Sequence, residues 1–172
     1  MRCLLLIAAL ASLSTASAQA PDLQTHRLEH SSLEVTLPAG FALNQALEKD
    51  GLLAHGVYLF VDEAAGQTLA VEVHPYLASW YGWWSRRGFV RGDWAERDLA
   101  HLNAVPTETA GLPLHASAAY RVTDPENGFE GLALYGCDDD RCYVARTTAP
   151  VTGFASGGAE HVALLRGVRF GE

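Results

Sequence analysis

Hydrophobic and polar positions alternate along much of this chain, most plainly over residues 33–37, where Leu33, Val35 and Leu37 alternate with Glu34 and Thr36. A period of two sends successive side chains to opposite faces of an extended backbone, so this segment is predicted to be a half-buried strand. Gln24 to His30 is a second extended run, separated from it by Ser31-Ser32. Pro38-Ala39-Gly40 breaks the pattern, and Phe41 to Asp50 is expected to be helical or irregular. Leu53 to Asp62 and Thr68 to His74 flank Glu63-Ala64-Ala65-Gly66-Gln67, which predicts a hairpin with a glycine-containing loop. Val57 to Val61 is apolar on both faces, the pattern of a central strand.

The period changes between Leu77 and Asn103. Asp93 is a good N-cap, Glu96 follows at capping-box spacing, and Ala95, Leu99 and Leu102 then share a helical face. Trp80 to Phe89 can form another helix, although Gly82 and Gly88 weaken it. Val105 to Pro113 reads as loop or short strand. His115 to Thr123, a turn at Asp124-Pro125-Glu126-Asn127-Gly128, a strand from Phe129 to Gly136 and another from Tyr143 to Thr148 make a continuous antiparallel meander. Ala159 to Arg166 is a short helix with Gly167 at its C-cap, and Val168-Arg169-Phe170 closes as a last strand. This order predicts an α+β fold, an antiparallel sheet with packed helices, in which residues 19–172 form one domain.

The N-terminus adds a compartment. Arg2, an apolar stretch from Leu4 to Leu13 and the small residues Ala16-Ser17-Ala18 have the form of a secretory signal peptide over residues 1–18. Its apolar core is too short to span a bilayer, which needs about twenty residues. Cleavage after Ala18 would leave a periplasmic or secreted chain. Cys3 leaves with the leader, so Cys137 and Cys142 remain in an oxidising compartment, and a disulfide at the base of a hairpin loop is expected. A redox role would call for C-x-x-C at a helix start, and neither the spacing nor the strand context matches it.

The opening strand that ends in Leu37-Pro38-Ala39-Gly40-Phe41, the mid-chain helical insert and the short helix feeding Val168-Arg169-Phe170 together resemble the PsbP-like group of exported proteins. The resemblance lies in element order rather than in a motif. It implies an α/β/α sandwich around an antiparallel sheet and an accessory, non-enzymatic role; it carries over no functional residue.

Composition excludes some classes. With 12 Lys and Arg against 20 Asp and Glu, the formal net charge is −8, which repels nucleic acid and anionic lipid. The seven histidines, at 26, 30, 55, 74, 101, 115 and 161, are spread without a ligand spacing; His26 and His30 stand four apart, but in extended chain. No metal or cofactor is expected from them. Asp138-Asp139-Asp140 lacks the alternate ligands and distal Glu of an EF-hand and is read as turn chemistry. Ser85, Ser117 and Ser156 have no G-x-S-x-G context, and no phosphate-cradling loop is present.

The most distinctive feature is aromatic. All four tryptophans lie between residues 80 and 94, with Tyr76, Tyr81 and Phe89 among them and Arg86, Arg87 and Arg91 interleaved. Exposed, such rings stack on sugars or pack on a partner while arginines reach carboxylates or phosphates; buried, they cover the sheet. One helical stripe cannot bury adjacent Trp83 and Trp84 equally well. The candidate binding residues are therefore Trp80, Tyr81, Trp83, Trp84, Arg86, Arg87 and Trp94. The leading expectation is a non-catalytic exported protein that binds a cell-wall, lipid or protein partner of the envelope through this segment. The alternative is a small periplasmic hydrolase, for which a cleft joining a histidine, a carboxylate and a hydroxyl would speak.

Overall fold

The computed structural model describes residues 22–28, 33–49, 55–75, 93–108, 112, 116–137, 141–151 and 158–170. Within them the chain builds ten strands and two helices: β1 (Leu23–Leu28), β2 (Leu33–Pro38), β3 (Ala42–Lys49), β4 (His55–Asp62), β5 (Gln67–Pro75), α1 (Asp93–Asp98), β6 (Asn103–Thr107), β7 (Ala116–Asp124), β8 (Phe129–Cys137), β9 (Arg141–Pro150), α2 (Ala159–Arg166) and β10 (Val168–Phe170). The strands form a three-stranded sheet, ordered β1-β2-β10, and a seven-stranded sheet, ordered β3-β4-β5-β9-β8-β7-β6. Every pairing is antiparallel.

The expected α+β class, with helices packed on the sheet as an α/β/α sandwich, is overturned. The described chain is dominated by strands in two sheets, and its two helices are only six and eight residues long. Two segments account for much of the difference. Residues 42–49, Ala-Leu-Asn-Gln-Ala-Leu-Glu-Lys, are nearly all good helix formers, yet they pair with β4 as an edge strand bulged between Leu43 and Gln45. Pairing to a neighbouring strand overrides a propensity difference of a few tenths of a kcal/mol per residue. The helix expected from Asp93 stops at Asp98; a turn, with Leu102 N–H donating to Leu99 C=O at 2.9 Å, carries the chain into β6. Trp80 to Phe89 lies outside the described residues.

One face of the large sheet is covered jointly by the small sheet and α2. Phe60 of β4, Leu69, Val71 and Val73 of β5, Leu134 of β8 and Tyr143 of β9 pack there against Val35 and Leu37 of β2 and Leu164 and Leu165 of α2. Gly167 follows α2 with φ −73°, in ordinary right-handed backbone, so it is not a left-handed cap. Its glycine is required by proximity: a Cβ there would collide with the Thr36 carbonyl of β2, while Thr36 N–H donates to Gly167 C=O at 2.8 Å. The β7–β8 turn is tied by Asp124, whose carboxylate accepts from the Glu126 and Asn127 amides at 3.1 and 3.0 Å, and Gly128 supplies the positive φ of 69°.

The other face carries α1. The chain leaves β5 in the middle of the sheet and returns as β6 at its edge, four strand positions away. At the usual strand spacing this is about 19 Å. α1 lies on that route, with Ala95 and Leu99 buried on Val122 of β7, Ala133 and Tyr135 of β8 and Val144 of β9.

Candidate functional site

Strand alternation sends Glu72 and His74 of β5, Val144 and Arg146 of β9 and Tyr135 of β8 to the face beneath α1, while Val71, Val73, Tyr143 and Ala145 turn into the main core. Register then sets them side by side: Glu72 opposite Val144, Val144 opposite Tyr135, and His74 opposite Cys142. α1 adds Trp94, Arg97 and Asp98. Glu72, His74, Trp94, Arg97, Asp98 and Val144 line a cleft of about 300 Å³ between the helix and the sheet.

Asp98 organises its floor. The Tyr135 hydroxyl donates to Asp98 Oδ2 at 2.7 Å, and the Arg146 guanidinium donates to the same oxygen. Burial raises the Tyr135 phenol well above its ordinary range, with Tyr120 and Glu72 adding to it, so it remains a neutral donor. Burial also lowers the pKa of Arg146, against the opposing pull of Glu72. Tyr120 meets the Tyr135 ring edge-on at 6.1 Å. On the wall, His74 Nε2 lies 3.0 Å from Glu72 Oε1, the His74 ring tilts against Trp94 at 5.8 Å, and the Arg97 guanidinium lies 5.8 Å from the centre of the Trp94 ring.

The disulfide is part of this setting. Cys137 and Cys142 are bonded, and they face each other as the last register pair of the β8–β9 hairpin, in the row that continues to His74. The bond therefore fixes the end of the sheet from which the chain leaves β5 for α1.

Of the residues expected to bind, Trp94 is in this cleft, half-buried at the start of α1. Trp80, Tyr81, Trp83, Trp84, Arg86 and Arg87 lie outside the described residues, in the stretch between Pro75 and Asp93 that begins and ends beside the cleft; Asp138 to Asp140 lie outside them too. Sequence reasoning missed Glu72, His74, Arg97, Asp98, Tyr135 and Arg146. The available signal was polar residues at alternate positions of apolar strands, Val-Glu-Val-His in β5 and Tyr-Val-Ala-Arg in β9.

A second cavity, of about 460 Å³, opens on the opposite face beside α2. Its lining includes Thr107, Arg121, Glu130, His161 and Arg166, and Arg121 Nη2 donates to the largely buried Glu130 carboxylate at 3.0 Å. His161 is only 2% exposed. Burial, reinforced by Arg121, lowers its pKa to about 4. This cavity holds a histidine, a carboxylate and a hydroxyl, but no hydrogen bond joins the His161 ring to Glu130 or Thr107. The first cleft has a histidine–carboxylate pair in His74 and Glu72, and the Tyr135 hydroxyl beside it is bonded to Asp98. Neither arrangement is a nucleophile–base–orienter relay. Among the described residues no three of His, Cys, Asp and Glu come together as metal ligands, and no helix is long and apolar enough to cross a membrane.

Compared with solved structures, the chain is similar to cyanobacterial PsbP (CyanoP) from Synechocystis sp. PCC 6803, determined in solution, with a TM-score of 0.52 over 91% of this chain and 97% of that one. The fold is PsbP-like. Identity is 13%, so the likeness is one of fold alone. No family model and no curated protein matches the chain.

Proposed function

We propose that this is an exported, non-catalytic accessory protein of the envelope or extracellular space that holds a partner at the cleft between α1 and the large sheet. The observation that carries this reading is the position of Trp94. The last residue of the tryptophan-rich segment lines the cleft beside charged side chains, half-buried against the hydrophobic cluster under α1 rather than filling the main core. A large aromatic ring at the edge of a polar, concave site is how binding surfaces combine contact area with orientation.

Three further features support it. The leader-like residues 1–18 and a disulfide between Cys137 and Cys142 both suit an oxidising compartment outside the cytoplasm. The PsbP-like fold fits the resemblance to a group of exported proteins noted from the sequence. Among the described residues, neither of these two cavities assembles a relay of the kind a hydrolase needs.

The test is acrylamide quenching of tryptophan emission from the oxidised mature chain, with and without an envelope extract. All four reporters belong to residues 80–94. Protection by extract that is lost in a Trp94→Ala variant is the expected result. Quenching that is poor from the start and unchanged by extract would place the segment in a core and remove the basis for the reading.

A further inference from the structure

We propose that His161 is an acid-sensitive latch: neutral, it keeps the first turn of α2 on β7 and β8, and protonated, it releases that turn and opens the cavity beside it. The argument starts from placement. His161 is 2% exposed, although it stands in the first turn of a helix of only eight residues. The charged groups that share its cavity are Arg121 of β7, Glu130 of β8, Glu108 just beyond β6 and Arg166 at the end of α2. Its neighbour Glu160 accepts instead from Gln67 Nε2 at 3.3 Å. On β9 the same rows hold Thr147 and Ala149, opposite Leu132 and Glu130, and neither titrates.

Three features oppose a positive charge on the ring while the turn is closed. The ring is almost fully withdrawn from water, so its charged form loses solvation. Arg121 already sets a positive charge nearby, and Glu130, the carboxylate that could answer a second one, accepts from Arg121 Nη2 at 3.0 Å. The first turn is also the positive end of the helix dipole. Burial and then Arg121 hold the imidazole at about 4, against an ordinary 6.5.

The first turn has little else to hold it. Gly158 stands at the N-cap with φ 93° and no side-chain cap, Ala159 and Glu160 are exposed, and Val162 is half-buried. The firm anchors lie at the other end, in Leu164 and Leu165 of the main core and in the hydrogen bond from Thr36 N–H to Gly167 C=O. The turn can therefore lift while the rest of α2 stays docked. Once it lifts, the ring titrates as an exposed histidine does, near 6.5. Acid then favours the open state, whose population should rise about twentyfold between pH 7 and pH 5.

The experiment is amide hydrogen exchange of the oxidised mature chain at pH 7 and pH 5, followed by NMR and corrected for the intrinsic effect of pH. The Val162 amide, bonded to Gly158 C=O at 3.0 Å, reports the first turn, and amides of β8 and β9 report the whole fold. Val162 should be at least about tenfold less protected than those strands at both pH values, and its opening should rise about twentyfold at pH 5. In His161→Leu and His161→Gln variants, checked for folding by far-UV circular dichroism, that rise should disappear.

Equal protection of Val162 and the strands would show that the turn opens only with the whole fold, and overturns the latch. So does an opening of Val162 that is the same at both pH values, the outcome if Glu130 turns from Arg121 to the protonated ring. A rise that persists in the folded variants overturns it too. Should neither variant fold, titration of the ring protons in the wild type decides. One of the seven histidines must then titrate well below 6.5, in step with the opening of Val162, and seven ordinary titrations overturn the proposal.

Discussion

Asp98→Ala removes an acceptor that Tyr135 and Arg146 share, and with it a polar link between α1 and the large sheet. A hydrogen bond to a charged group contributes about 1.5–3 kcal/mol, and stripping one partner from a fully buried ion pair costs about 3–5 kcal/mol. The side chains of Asp98 and Arg146 are 33% and 34% exposed, so water takes over part of the lost interaction. The expected cost is therefore about 2–3 kcal/mol, below the fully buried case. Tyr135→Phe deletes only the 2.7 Å bond to Asp98 and should cost about 1 kcal/mol. The double variant should be less destabilised than the sum by about 1 kcal/mol, because both changes break the same bond. Urea unfolding followed by far-UV circular dichroism, with the disulfide kept oxidised, measures all three. A loss below about 0.5 kcal/mol for Asp98→Ala, within the range of an ordinary exposed pair, would refute the view that this network pins α1 to the sheet.

Other consequences of the structure can be checked with the same assay. His161 titrates at about 4 in the folded chain against an ordinary 6.5, so its stabilising contribution is complete above pH 6.5 and is lost as pH falls toward 4. Between pH 6.5 and 5 the wild type should lose on the order of 1–2 kcal/mol that a folded His161→Leu variant does not lose; parallel pH profiles would contradict the assignment. The Cys137–Cys142 bond closes only a short loop, so reducing it should cost about 2 kcal/mol without unfolding the chain at room temperature. Gly167→Ala must push α2 away from the Thr36 carbonyl and should destabilise by about 2 kcal/mol or more, whereas a cost of a few tenths would show that β2 can yield there.

What the sequence revealed depended on how local the cause was. β2 was legible because Leu33, Val35 and Leu37 alternate with polar residues, and α2, Gly167 and β10 because helix, stop and strand signals follow one another within a dozen positions. β3 was hidden because Ala42–Lys49 carries helix-forming side chains, and only the presence of β4 alongside makes it a strand. The same limit governed the site. Trp94 stood out as part of an unusual cluster, but Glu72 and Arg146 acquire meaning only when β5 pairs with β9, strands separated by α1 and three other strands in sequence. The class was misjudged for a related reason: the second cover of the core is a small sheet that joins the chain's first described strands to its last, a contact no short window can display.

The central claim, that the cleft beside α1 is where a partner binds, is tested most directly by fluorine NMR of mature protein labelled with 5-fluorotryptophan. Four tryptophans give four resonances, and a Trp94→Phe variant identifies the one from the cleft. Addition of envelope extract should shift or broaden the Trp94 resonance, and Glu72→Gln should weaken that response. A Trp94 resonance that stays fixed while the protein demonstrably binds its partner would contradict the account.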